Sequence, residues 1–362
     1  MKEHDFLKYL RRNPVNAFPE LVHYIHAVVI PAYDEEENIP VLLESLSGAN
    51  ASEPVAVIVV VNYPAGAGVL SSRRLYEKLL SCKLPFPFGL FPVFAPELES
   101  GVGEARKIGF DIFCHSRNSV NADTSVMFSL DADCLVHKNY FSETLNILCP
   151  EDAGCAVIRV SHRKPAEHDL AAAMEIYEKY LMDYEENLAR CNSPYAYNAI
   201  GSGFAVKVRD YIRCGGMKLK KAGEDFYFLQ SAAKCSKIVK TLNALVFPSA
   251  RISERVPFGT GTAVRDIISG IMPRQVTEEA FVELEAVLDA IEIPGVLDSG
   301  EIFISGLSPR AAVFFQANNF VPAWNRILDN QKLNNDSDKR KAFHLWFDAL
   351  QTRRFLHLLS ES

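Results

Sequence analysis

The 362-residue sequence has no apolar run long enough to cross a bilayer. Its longest stretches, such as residues 55–61, fall far short of the roughly 20 residues a spanning helix needs. The amino terminus lacks the apolar segment of a secretory signal. Eight cysteines are present without a Cys-x-x-Cys pair or a matching histidine spacing, which argues against a structural zinc site. They are expected to be reduced thiols of a cytoplasmic protein, with peripheral contact at a membrane surface left open. Positive charge is not in excess: 45 acidic against 38 basic side chains leave −7, so no global field draws the chain to nucleic acid. Internal repeats and low-complexity tracts are also missing.

The remaining composition, 48% apolar and 23% charged, is that of an ordinary globular protein. Residues 1–26 read as a lead-in, a short helix followed by irregular chain broken at Asn-Pro and Phe-Pro. From Ala27 a regular alternation begins. Ala27-Val28-Val29-Ile30 is a brief apolar run ending at Pro31, as a buried parallel strand would be. An acidic loop follows, then a helix whose Ile39, Leu42, Leu43 and Leu46 share one face, with Asn38 as the expected cap. Residues 55–61 form a second buried strand closed by Asn62-Tyr63-Pro64. A helix over 72–80, a Pro- and Phe-rich connector over 85–96, a helix from near Gly103 and a third strand over 125–130 continue the pattern.

This order predicts an α/β fold, an open, mostly parallel twisted sheet with helices on both faces. Ligands bind beyond the carboxyl ends of such strands, where Asp34 to Glu37, Asn62, Asp131 and Asp133 would lie. The stripe Leu170, Met174, Tyr177, Leu181, Tyr184, Leu188 predicts a long amphipathic helix packed beside the site. Beyond about Arg265 the composition shifts to Leu, Ala and Glu, and residues 334–338 read as a polar linker before a last helix. The expected division is a catalytic domain over 27–264 and a mostly helical carboxy-terminal extension over 265–362.

Four clusters carry chemistry. Asp131 and Asp133 follow a strand with period-two spacing, so both point to one side of the chain and can grip one hard cation. A solvated Asp turn gives the same spacing. Gly223-Glu224-Asp225 opens a helix, either to complement its dipole or to supply a general base. Gly201-Ser202-Gly203 precedes the apolar Phe204 to Val208 and permits close backbone approach, as a tight hairpin also would. Arg251 and Arg255 precede a flexible loop, either as a diphosphate clamp or closing lid or as ordinary surface arginines.

Taken in order, Val28-Val29-Ile30-Pro31-Ala32-Tyr33-Asp34-Glu35-Glu36-Glu37-Asn38-Ile39, Gly101-Val102-Gly103-Glu104-Ala105-Arg106-Lys107-Ile108-Gly109, Asp131-Ala132-Asp133, Gly201-Ser202-Gly203 and Gly223-Glu224-Asp225 resemble the family 2 glycosyltransferases. The resemblance covers residues 27–261, about two thirds of the chain. It implies the A-type nucleotide-sugar (GT-A, Rossmann-like) fold and an inverting transfer from a nucleotide diphosphate sugar to an acceptor hydroxyl. Carried over by position, Pro31, Ala32, Tyr33 and Glu35 would line the nucleotide pocket and Arg106 would hold the donor. Asp131 would face ribose and metal, and Asp133 would ligate Mn²⁺ or Mg²⁺. Asp225 would be the base, supported by Glu224, with Gly201, Ser202 and Gly203 bordering sugar and acceptor. The sequence departs at Asn62, where the family generally has an aspartate contacting the base, so the donor nucleotide is open. The acceptor, whether saccharide, lipid or small molecule, is not indicated.

Two other readings use the same residues. A nucleotidyltransferase also pairs carboxylates on a parallel sheet, but no Gly-rich run with a following lysine succeeds the first strand. A catalytically silent nucleotide-sugar-binding or scaffold protein would not need Asp131, Asp133 and Asp225 together.

Overall fold

The computed structural model describes residues 1–362 except 17, 65, 67–68, 221, 252–258, 331–332, 334 and 362, and the side chain of Pro19. Two compact units are present: Met1–Tyr177 with Ala199–Ile271, and Glu178–Asn198 with Met272–Ser362.

The first unit is built on eight strands, β1 His26–Ala32, β2 Val55–Pro64, β3 Phe88–Leu98, β4 Val126–Ser129, β5 Cys134–Val136, β6 Ala153–Val160, β7 Phe204–Lys207 and β8 Lys237–Pro248. They form one sheet in the order β3-β2-β1-β4-β7-β6-β8-β5. Four of the seven neighbouring pairs are parallel, namely β1 with β2 and β4, β2 with β3, and β6 with β8. The sheet is therefore mixed but mostly parallel, as the alternation predicts. Its helices are α1 Glu3–Arg12, α2 Asn38–Ser47, α3 Leu70–Leu80, α4 Val102–His115, α5 Tyr140–Ile147, the first part of α6 His168–Arg190, α7 Val208–Arg213, α8 Glu224–Ala233 and α9 Thr260–Ile268.

Period-two geometry sorts the central strands between two layers. Val28, Ile30, Val57 and Val59 pack with Ile39, Leu42 and Leu43 of α2 and Leu75 and Leu79 of α3. On the other face Gly109 of α4 lies so close to Val29 that an added Cβ would meet a Val29 methyl at 2.4 Å. Both faces thus carry helices.

Three sequence expectations need correction. The Pro- and Phe-rich stretch is strand β3, not a connector. It sits at the sheet edge and pairs with β2 alone, the position where prolines are tolerated. Asn38 does not cap α2; its amide donates to Glu35 Oε2 at 2.6 Å, and Glu37 stands at the N-cap without a side-chain bond. The polar residues near 335 are not a linker. Asn335 caps a helix by accepting from Asp338 N at 2.9 Å, while Asn334 lies outside the described residues.

The second unit is helical, with α10 Glu278–Ala290, α11 Gly300–Ser305, α12 Pro309–Ala317, α13 Phe320–Asn330, α14 Asp336–Trp346 and α15 Ala349–Ser360. Leu188 and Cys191 join its core with Phe281, Phe303, Phe314, Phe315, Phe320, Trp324, Phe343 and Phe355. Among the described residues no helix is long and apolar enough to cross a membrane. All eight cysteines carry free thiols.

An alanine normally stabilises a helix interior by about 1 kcal/mol relative to glycine. At Gly109 the sign should reverse, because the Cβ would also lie 3.2 Å from Val60 and overpacking costs about 1–3 kcal/mol. Urea unfolding of Gly109→Ala should show a lower midpoint at unchanged slope. An unchanged or higher midpoint would mean that the two valines yield freely.

Candidate active site

Strands β1, β2 and β4 run parallel, so the loops after them leave from one edge of the sheet. Pro31 and Ala32 end β1 and are buried; Tyr33 is half-buried beyond them. The chain then turns through Asp34, which has a positive φ of 56°, and brings Glu35 inward to 4% exposure. Asp131 and Asp133 lie between β4 and β5. The β5–β8 antiparallel pair sets Cys134 opposite Pro248 and so carries Ser249 to Asp133.

Two guanidinium groups grip this acidic loop. Arg106, in the first turns of α4 and 2% exposed, donates Nη2 to Asp131 Oδ1 and Nη1 to Glu224 Oε1. Arg251, just past β8, donates Nη2 to Glu35 and lies 2.9 Å from Asp133 through Nε. Ser249 Oγ donates to Asp133 Oδ2 at 2.5 Å, and Arg163 Nη2 donates to the Asp133 carbonyl at 2.8 Å.

Glycines make this approach possible. A Cβ on Gly201 would stand 2.4 Å from Arg106 Nη2, and one on Gly103 would stand 2.8 Å from Glu224 Cγ. The Gly201 carbonyl accepts from Ser129 Oγ at 2.5 Å, Ser202 is buried beside the Cys134 thiol, and the Gly203 carbonyl accepts from Ile158 N at 2.7 Å. The turn is thus pinned between β4, β6 and the arginine.

Glu224 opens α8 behind Gly223, whose φ of +69° suits glycine. Asp225 follows, its Oδ1 accepting from Phe226 N at 2.7 Å. Its carboxyl is surrounded by protein yet retains partial solvent contact. Burial and the neighbouring Glu224 charge push its pKa up to about 7, and they outweigh the opposing Arg106 charge. Burial and the Asp131 charge also raise Asp133, against the lowering effects of Ser249 and Arg251. Burial disfavours the Arg106 cation, but Asp131, Glu224 and Asp225 more than reverse that, and its pKa is raised.

The structure therefore joins Glu35, Arg106, Asp131, Asp133, Gly201, Glu224 and Arg251 through direct contacts, with Asp225 in their field. Asn62 stands apart: its amide is buried and donates to Val60 O of its own strand at 3.0 Å, beside a register irregularity in β2. Arg255 lies outside the described residues. Ser249, Ser129, Arg163 and Gly103 were not singled out from sequence. Of these, only Gly103 sat within a recognised motif; the others are placed by strand pairing that no local pattern announces.

Among the described residues no group of three or more His, Cys, Asp or Glu could hold a metal ion by protein ligands alone. The donor set nevertheless fits a hard divalent cation. Two carboxylates close enough to disfavour joint ionisation, one of them 36% exposed, are what such an ion takes alongside phosphate oxygens and water.

No family model matches the chain, and no curated protein matches it. Among solved structures it is similar to S. aureus TarS 1-349 in complex with UDP-GlcNAc, at 13% identity over 87% of this chain and 89% of that one, TM-score 0.47. It is similar to the mannosyltransferase PcManGT from Pyrobaculum calidifontis in complex with GDP-Man and Mn²⁺, at 14% identity over 95% and 94%, TM-score 0.45. It is also similar to glucosyl-3-phosphoglycerate synthase from Mycobacterium tuberculosis, in complex with Mn²⁺, UDP and glucosyl-3-phosphoglycerate, at 14% identity over 73% and 90%, TM-score 0.40.

The Asp225 carboxyl has a testable thermodynamic sign. Its folded pKa, about 7, lies above the ordinary 3.8, so the fold resists its ionisation. The resulting destabilisation is absent below about pH 4, grows towards pH 7 and persists above it. Asp225→Asn should therefore melt higher than wild type at about pH 8, and the gap should close as pH falls to about 4. A variant that melts lower at pH 8 would show that the fold needs the carboxylate.

Proposed function

We propose that this chain is a glycosyltransferase that moves a sugar from a nucleotide diphosphate donor to an acceptor hydroxyl, with inversion at the anomeric carbon. The observation that carries the reading is the Arg106 bridge between Asp131 and Glu224, beside an Asp225 whose pKa is about 7. Acidic residues from two distant segments meet there, in the order that the family 2 resemblance implies.

Asp225 is the base. At an ordinary aspartate pKa it would attract a hydroxyl proton weakly. Near 7 it is a stronger base that is still largely ionised just above neutrality. In the transfer the acceptor oxygen bonds to the anomeric carbon as the bond to the diphosphate oxygen breaks, and the acceptor proton passes to Asp225. Glu224 supports this by its charge, which helps raise Asp225, and by anchoring Arg106. Pro31, Ala32, Tyr33 and Glu35 line the nucleotide side, and Asn62 is the candidate for reading the base.

Asp133, with Asp131, would hold Mn²⁺ or Mg²⁺, which when bound neutralises charge developing on the diphosphate leaving group. Before the donor arrives, Arg106 and Arg251 pair with these carboxylates. Nucleotidyl transfer is disfavoured because no glycine-rich, lysine-bearing turn follows β1. A silent scaffold would have no use for a carboxyl held near pKa 7 in partial contact with solvent.

A panel of nucleotide sugars, assayed by nucleotide diphosphate release with and without Mn²⁺, tests the reading. Asp225→Asn should keep donor binding but lose transfer by about 10²- to 10⁴-fold. The wild-type kcat/KM should climb with pH and level off above about 7. Wild-type turnover by Asp225→Asn would remove the base assignment. Asp133→Ala should lose the Mn²⁺-dependent part of donor affinity, whereas wild-type donor binding indifferent to Mn²⁺ would remove the metal assignment.

A further inference from the structure

The last helix of the second unit presents a charged face that the proposed transfer does not use. Arg353, Arg354 and His357 recur along α15 at helical spacing, and Glu361 follows one turn later. With Arg274, from the segment before α10, they line an open cavity of about 420 Å³.

The charges in this cavity do not balance. Arg274 is paired with Glu361 and also donates Nη2 to the His357 carbonyl at 3.4 Å. Among the described residues no carboxylate forms an ion pair with Arg353 or Arg354, although both are exposed. Among the described lining residues, three guanidiniums against one carboxylate leave a net charge of two.

His357 lines the same cavity. Its Nδ1 is buried and has no hydrogen-bond partner among the described residues. Burial, then the charges of Arg353 and Arg274, lower its pKa.

We propose that this cavity binds a phosphate monoester. A dianion matches the net charge, and guanidinium forks match phosphate oxygens. Leu350 and Leu358, on the cavity wall, offer apolar contact to the organic part of the ester. The site lies wholly within the second unit and does not depend on the glycosyltransferase reading. Its ligand could be a soluble phosphorylated compound or a lipid headgroup, since both present the same group.

The full chain, titrated with inorganic phosphate and with glycerol phosphate against sodium chloride at matched ionic strength, should show a saturable rise in melting temperature. The His357 ring, followed by NMR, should titrate at higher pH when phosphate is present. In Arg353→Gln/Arg354→Gln both responses should weaken by at least roughly tenfold. The Arg353→Lys/Arg354→Lys variant, which keeps charge but loses the forks, should fall between. Phosphatidylcholine vesicles with and without phosphatidic acid separate the sources. Co-sedimentation only with phosphatidic acid, competed by glycerol phosphate, assigns the headgroup; glycerol phosphate binding without co-sedimentation assigns a soluble ester. A response no larger than that to chloride, or one that the Gln variant retains in full, overturns the proposal.

Discussion

Arg106 is the interaction on which the rest of the first unit's acidic edge depends. A guanidinium at 2% exposure is tolerable only when paired, because stripping water from an unpaired ion costs several kcal/mol. Its two partners, Asp131 and Glu224, come from the β4–β5 loop and the start of α8, so one buried cation fixes the distance between two otherwise independent segments. Remove it and Asp131, Glu224 and Asp225 would be three neighbouring carboxylates without a counter-charge. Gly201 and Gly103 follow from the same constraint: the guanidinium and its partner occupy the volume where their side chains would begin.

How much of this was legible in the sequence depends on how local each signal is. β1, β2 and β4 are buried on both faces, so they read as uninterrupted apolar runs and were found. β3 is only partly buried and carries Pro92 and Pro96, which a local reading takes for a break; its edge position explains both. Asp131 and Asp133 were visible because strand ends announce themselves. Ser249 was not, since it reaches Asp133 through the β5–β8 register, and an antiparallel return strand a hundred residues away leaves no trace in composition. The helix α6 shows another limit. Its stripe is continuous, yet Leu170 and Met174 pack with Val264 and Ile267, while Leu188 packs with the aromatic core of the second unit. Periodicity reports that a face is buried and says nothing of which core buries it.

The two units also start their helices differently. In the first unit α1 to α5 and α7 to α9 have no side-chain N-cap bond, whereas α10, α11, α12, α14 and α15 are capped by Thr277, Ser299, Ser308, Asn335 and Asp348. A helix laid on a sheet is positioned by its strands. Short helices without a sheet are marginal alone, and a cap contributes about 1 kcal/mol towards fixing where each begins. The second unit supplements these caps with edge-to-face aromatic contacts, such as Phe303 with Phe315 and Phe314 with Phe355.

The uncapped start of α8 has a consequence for chemistry. A Ser or Thr at position 223 would satisfy the first amides, but Gly223 supplies the left-handed turn and leaves them to carboxylates instead. Asp225 takes the Phe226 amide, which favours its charged form, while burial and Glu224 favour the neutral one. Arg106 is spent on Glu224 and Asp131, so it does not bridge Asp225 and only its longer-range field reaches that carboxyl. Had the guanidinium bonded Asp225 directly, the acid would have been held low and would be a poor base. The choice of which of two adjacent carboxylates meets the arginine is thus what separates an anchor, Glu224, from a group able to take a proton near neutral pH.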